Sequence, residues 1–189
     1  MRALDIAKFE FQSRMRLVST HAYFMIFAGI AMLWMAAAGG AFAGAKIGFS
    51  SDKVFVNAPF ALDLTVSILG FFGIVIVAAM MGRAVQQDFE YQSFHFFFTS
   101  PISKRDYFAG RFVGALLALL YVFCGITLGI FLGTHFPGVQ PSRVGPWSLA
   151  ALLHPYFLLL LPNMVIFGAV FFGLAALTRR MMPVYVASV

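Results

Sequence analysis

Phe112-Val113-Gly114-Ala115-Leu116-Leu117-Ala118-Leu119-Leu120-Tyr121-Val122-Phe123-Cys124-Gly125-Ile126-Thr127-Leu128-Gly129-Ile130-Phe131-Leu132-Gly133-Thr134 contains no Asp, Glu, Lys or Arg. A helix rises about 1.5 Å per residue, so a hydrocarbon core of about 30 Å is crossed by roughly 20 apolar residues. This stretch is long enough, and it has company. Residues 21–43, 64–82 and 149–177 are likewise apolar and free of charge. The expected fold is therefore an all-α integral membrane protein of about four transmembrane helices. A further apolar run after Pro183 reaches Val189 in mid-pattern, which reads as the start of a fifth span in a longer protein.

Composition points the same way. Hydrophobic residues make up 61% of the 189 and charged residues 11%, and the mean hydropathy is +0.90. A soluble domain carries about 25% charged residues, because it has a surface to wet. The length limits the chain to one modest domain or a piece of a larger one. A net charge of +6 would suit nucleic acid, but the basic residues are scattered between membrane-length apolar runs. Charge bias at membrane-flanking loops accounts for the excess, and no nucleic-acid partner is expected. Cys124 is the one cysteine, so an intrachain disulfide is excluded.

Lys and Arg also orient the chain. With the N-terminus in the cytoplasm, the inner segments hold Arg2, Lys8, Arg14, Arg16, Arg83, Lys104, Arg105, Arg111, Arg179 and Arg180. The outer ones hold only Lys46, Lys53 and Arg143. Every loop agrees with that topology. Ala41-Phe42-Ala43 after an apolar run resembles a signal-peptide cleavage site. The lead-in of about 20 residues is too long for one and contains Asp5 and Glu10, which favours an uncleaved first span. Within residues 2–19, Leu4, Ala7, Phe11, Met15 and Val18 fall on one helical face, flanked by Lys8 and Arg14. That stripe is interrupted by Ile6 and Phe9, but it predicts an interfacial helix along the cytoplasmic leaflet before the first span.

Catalytic chemistry is hard to find. His21 and His95 fall on the cytoplasmic side, His135 and His154 on the other, and there is no H-E-x-x-H, no G-x-S-x-G and no phosphate-binding loop. No cofactor, metal site or catalytic residue is assigned, and the chain is not expected to hydrolyse ATP. Proton- or ion-coupled carriers need intramembrane carboxylates or broken helices, and the four apolar stretches have no carboxylate. Gly125, Gly129 and Gly133 recur every fourth residue, as do Gly110 and Gly114. Small residues at that spacing let helix backbones approach closely, within the chain or against a second subunit.

The loop 83–111 between the second and third spans is the most informative segment. Asp88 and Glu90 precede an aromatic cluster of Phe94, Phe96, Phe97 and Phe98; Thr99-Ser100-Pro101 interrupts the helix; Ser103 and Asp106 have capping-box spacing for the helix that follows. Aromatic residues exposed on a membrane loop call for a partner.

Asp88-Phe89-Glu90 followed by Thr99-Ser100-Pro101-Ile102-Ser103-Lys104-Arg105-Asp106-Tyr107 and Gly110-Arg111 resembles the first cytoplasmic loop of ABC-2-type ABC transporter permeases. Asn57-Ala58-Pro59, His154-Pro155-Tyr156, Leu161-Pro162-Asn163 and residues 177–185 extend the likeness over nearly the whole chain. It is closest to bacterial members that can continue into an M1-type aminopeptidase domain. The resemblance implies a multi-pass protein of the bacterial inner membrane, a single permease-like domain over 1–189. It also implies two partners besides the bilayer, a second permease subunit and an ABC ATPase subunit. Residues Asp88, Glu90, Phe94, Phe96, Phe97, Phe98, Thr99, Pro101, Ser103 and Asp106 would then form the ATPase-coupling element, and residues 4–19 the elbow-like interfacial helix. Such permeases have six spans, so this chain would be the N-terminal part of one. The alternative is a membrane anchor or scaffold for an enzyme such as the M1-like peptidase.

Overall fold

The computed structural model describes residues 2–42, 54–90 and 103–188. Of these, 83% are helical, and no strand occurs among them. The order is α1 (Arg2–Met15), α2 (Val18–Ala38), α3 (Pro59–Phe72), α4 (Ile74–Glu90), α5 (Lys104–Thr134), a 3-10 turn (Pro141–Arg143), α6 (Leu149–Pro155), a π-helical turn (Tyr156–Leu160), α7 (Leu161–Thr178) and α8 (Met182–Ala187).

Three helical segments are long and apolar enough to cross a membrane: Val18–Ala38, Lys104–Thr134 and Leu149–Thr178. The expected span at 64–82 is not a single helix. It falls on α3 and α4, which pass the same test only as a pair, bent by 50° at Gly73. Hydropathy averages over such a break and cannot register it. The helix also starts earlier than the apolar run suggests. Pro59 takes the first helical position, where a missing N–H costs nothing, and Asp63 is thereby brought inside α3. The run after Pro183 forms the short α8.

The chain divides into two compact units. One comprises Met1–Thr20, Gly73–Leu120 and Asn163–Val189; the other comprises His21–Phe72 and Tyr121–Pro162. In the first, α1 lies against the start of α5. A Cβ on Gly110 would stand 2.7 Å from the Ala3 carbonyl oxygen, and one on Gly114 would stand 2.6 Å from that of Ala7. The chain leaves α1 through a tight turn in which the Thr20 hydroxyl and the Leu17 N–H both donate to the Arg14 carbonyl. At the other end of the sequence, α8 packs on α4, with Met181 and Val184 over Gly82. The rings of Phe108 and Phe112 meet Phe172 of α7 edge-on.

In the second unit α2 lies along α5. Cβ atoms on Gly125 and Gly133 would each come within 2.5 Å of a carbonyl oxygen, of Phe24 and Met32 respectively, and one on Gly129 would run into the Ala28 carbonyl. The glycine spacing thus serves a contact between helices of the same chain. Phe24 stacks on Tyr121, and Phe27 meets Phe123 at a tilt, in the same seam. The end of α2 is a Schellman turn: Gly40 has φ +82°, its N–H donates to Ala37, and the Ala41 N–H donates to Ala36. Arg143 donates to the Ala38 carbonyl at 3.3 Å, where a cation also suits the helix dipole. Asn57 clamps two loops: its amide donates to the Gly145 and Pro146 carbonyls and its oxygen accepts from the Gly145 N–H. These contacts set α3 against α6 and the π turn.

Candidate functional site

The first unit contains a buried cluster of charge. Glu10 of α1 is 3% exposed, Arg14 6% and Arg111 8%. Arg14 Nε donates to Glu10 Oε1 at 2.6 Å, one helical turn away. Arg111 Nη1 of α5 donates to Glu10 Oε2. One carboxylate therefore holds two guanidinium groups, and through them it ties α1 to α5. Burial lowers the pKa of Arg14, the Glu10 carboxylate opposes that shift, and the positive charges of Arg111 and Arg83 add to it. Glu10 is the group that balances this concentration of positive charge. The guanidinium of Arg111 also lies 5.8 Å from the centre of the Tyr107 ring, one turn back along α5.

Why this face of α1 is buried follows from its neighbour. Gly110 and Gly114 open a groove in α5 that takes the Ala3 and Ala7 carbonyls together with the side chains of Ile6 and Glu10. Continuing the helical period through Glu10 and Arg14 carries the charged pair into the same contact. The stripe read from the sequence as facing the leaflet is largely outward. Of its members only Ala7 is buried, while Leu4 and Val18 are exposed by 72% and 82%. Leu4 and Phe9 are left outward while Glu10 and Arg14 are sealed, and Asp5, Lys8, Gln12 and Ser13 stay exposed.

The loop residues are reached in part. Asp88 and Glu90 stand in the last turn of α4, with Glu90 exposed; the Asp88 side chain, and Phe94, Phe96, Phe97, Phe98, Thr99 and Pro101, lie outside the described residues, as do His95, Lys46 and Lys53. Ser103 and Asp106 form the expected cap. The Ser103 Oγ accepts from the Asp106 N–H at 3.1 Å and donates to Asp106 Oδ2 at 2.7 Å, while the Ser103 carbonyl accepts the first helical bond from Tyr107. The loop is thus fastened to α5 at a defined residue. Ser103→Ala should cost about 1 kcal/mol at this end of the helix. Faster amide exchange confined to residues 104–107 would show it, with the rest of α5 unchanged.

Sequence reading missed the cluster itself. Glu10 entered as an argument against a cleaved leader, Arg14 as a topology signal and a flank of the amphipathic stripe, and Arg111 as a topology signal and part of the family resemblance; none was read as a partner of another. The Glu10–Arg14 spacing of four was available as a local pair, but Arg111 is 101 residues away and no local pattern links it. A second missed pair is Asp63 with His154, whose Oδ1 and Nδ1 are 3.6 Å apart in the second unit. No protein-family model and no curated protein matches the chain. What it does must therefore be argued from its own residues.

Proposed function

We propose that the chain is the membrane-spanning permease subunit of an ABC-2-type transporter, or its N-terminal part, moving substrate with energy from a separate ATPase. The observation that carries this reading is the contact of α1 with the first turns of α5, locked by Glu10 and Arg111. Residues before the first span and residues at the start of α5 touch, so the chain between them crosses the bilayer an even number of times. With α2 as one crossing, the α3–α4 pair counts as the second, a broken span rather than a re-entrant loop. The contact of α8 with α4 supports the same parity for α5 and the segment from Leu149 to Thr178. This reading has four crossings, with α1, the end of α4, the start of α5 and α8 on one side. The Lys/Arg bias makes that side the cytoplasm.

On that topology the loop leaves α4 at Glu90 and enters α5 at a capped Ser103, next to a helix salt-bridged to α5. A displacement applied to the loop is passed to α1 and to a 31-residue helix together. That is the mechanical arrangement a docking ATPase needs, and catalysis of ATP hydrolysis resides in the partner. The outward apolar residues of α1, Leu4 and Val18 among them, suit a helix lying in the interfacial region.

The test is co-purification from the native membrane. A stoichiometric ATPase carrying a phosphate-binding loop is expected to accompany the wild-type chain and to be lost when Phe96, Phe97 and Phe98 are replaced together by alanine, with the protein still folded and inserted. Retention of the ATPase by that variant would remove the docking role. Absence of any ATPase, where other ABC complexes survive, would shift the reading to an anchor for an associated enzyme.

A further inference from the structure

Among the described residues of the second unit there is one carboxylate, Asp63 of α3. Its Oδ1 has no accessible surface and accepts no hydrogen bond. It faces Nδ1 of His154, on α6, at 3.6 Å. That separation is just beyond a hydrogen bond, and a buried acceptor without a donor is an unfavourable arrangement. The side chains are otherwise partly open, Asp63 by 36% and His154 by 52%.

We infer that Asp63 and His154 form a proton-operated clasp between α3 and α6. Uptake of one proton from solvent converts the imidazole to imidazolium, which supplies both an N–H donor and a positive charge toward Oδ1. Neither neutral tautomer supplies both. Loss of the proton removes the positive charge facing the carboxylate and loosens the contact. Imidazolium forms as the pH falls, so the clasp closes toward acid.

The backbone next to His154 is built to allow movement. The π turn Tyr156–Leu160 follows at once, closed by the Leu161 N–H donating to the Tyr156 carbonyl, with Pro155 on one side and Pro162 on the other. Pro162 lacks an N–H, and in an α-helix its ring would crowd the carbonyl four residues back, at Leu158. Widening the turn relieves this. It also leaves α6 less firmly fixed to the rest of its span than an unbroken helix would be. The position of α6 is then open to decision by what it meets, which is α3.

No other charge in the described part of this unit competes for the pair. Tyr156, the titratable residue of the π turn, accepts a hydrogen bond from Cys124 of α5. His21 of α2 bonds Tyr121, and both it and Tyr23 lie more than about 15 Å along α2 from Met35, the residue that meets Thr65 of α3. His135 bonds the Phe131 carbonyl and stacks on Trp147, and Arg143 holds Gln140 and the end of α2.

The experiment is hydrogen–deuterium exchange over residues 149–156 of the full chain in lipid nanodiscs, wild type against Asp63→Asn at the same pH, so that intrinsic exchange rates cancel. At pH 5 the wild type should be about two- to fivefold more protected, the range for a partly exposed ion pair, and at pH 8 the ratio should fall to about one. His154→Gln should match Asp63→Asn at pH 5. His154→Lys, charged throughout, should keep its protection at both pH values. A wild-type to Asp63→Asn ratio that is the same at pH 5 and pH 8, whether large or near one, would overturn the proposal. The outcome does not depend on whether an ATPase drives the chain.

Discussion

Glu10→Ala is expected to lower the stability of the folded chain by about 3 kcal/mol, because it leaves Arg14 buried without the carboxylate and removes one partner of Arg111. Two guanidinium groups would then face each other across the α1–α5 contact with no carboxylate between them. Reversible unfolding in mixed micelles measures the loss directly. The sign of the effect is a matter of desolvation. Both arginines are taken out of water on folding, and the Glu10 carboxylate returns part of that cost. Glu10→Gln keeps the shape and the acceptor oxygen but not the charge, and should fall between wild type and Glu10→Ala. The informative control removes all three charges at once: Glu10→Met, Arg14→Leu and Arg111→Leu together should come within about 1 kcal/mol of wild type, since a buried ion network is often no better than apolar packing of similar volume. If Glu10→Ala alone were neutral, the cluster would be hydrated and α1 would be held by the glycine contacts.

Gly129→Leu should separate α2 from α5 and cost at least 2–3 kcal/mol, as overpacking of a close backbone contact does. A Cβ at this position already meets the Ala28 carbonyl, and it would lie 2.8 Å from the Ala31 Cβ. Neither is the far end of a side chain that can swing away. Gly29→Ala and Gly173→Ala are the contrast, because a Cβ at either position meets nothing within 4 Å. Those two should be neutral or stabilising by up to about 1 kcal/mol through helix propensity. The same unfolding measurement ranks all three. Equal effects at Gly129 and Gly29 would mean that the glycines act through backbone freedom and not through close packing.

The two predictions separate what local sequence carries from what it does not. The spacing of Gly125, Gly129 and Gly133 could be read directly as a close-packing face, since a period of four is a local property of one helix. Ser103 and Asp106 could be read as a cap for the same reason: donor and acceptor are three residues apart. The partner of Arg111 was out of reach of any such rule. On α1, the outward apolar stripe was the more conspicuous pattern, yet the buried face holds Glu10 and Arg14. Hydrophobic periodicity marks the face that suits lipid and says nothing of the opposite face, where the neighbouring helix offers a guanidinium and a glycine groove. Asp63 was left outside a span for a related reason. A charge marks the edge of an apolar run, whereas the helix that contains it begins at Pro59.

By itself the sequence determined that the chain is helical, where its three helical segments long and apolar enough to cross a membrane run, and where α5 begins. Each of these depends on length, apolar content or hydrogen bonds spanning a few residues, all of which are written locally. Only the tertiary structure decided that α3 and α4 break at Gly73, that Glu10 joins α1 to α5, and that Asp63 meets His154. Those outcomes depend on which helices come together. In a chain whose lipid-facing and protein-facing surfaces are both apolar, hydrophobicity alone does not choose among partners, and the choice falls to glycine clearance and a few buried charges.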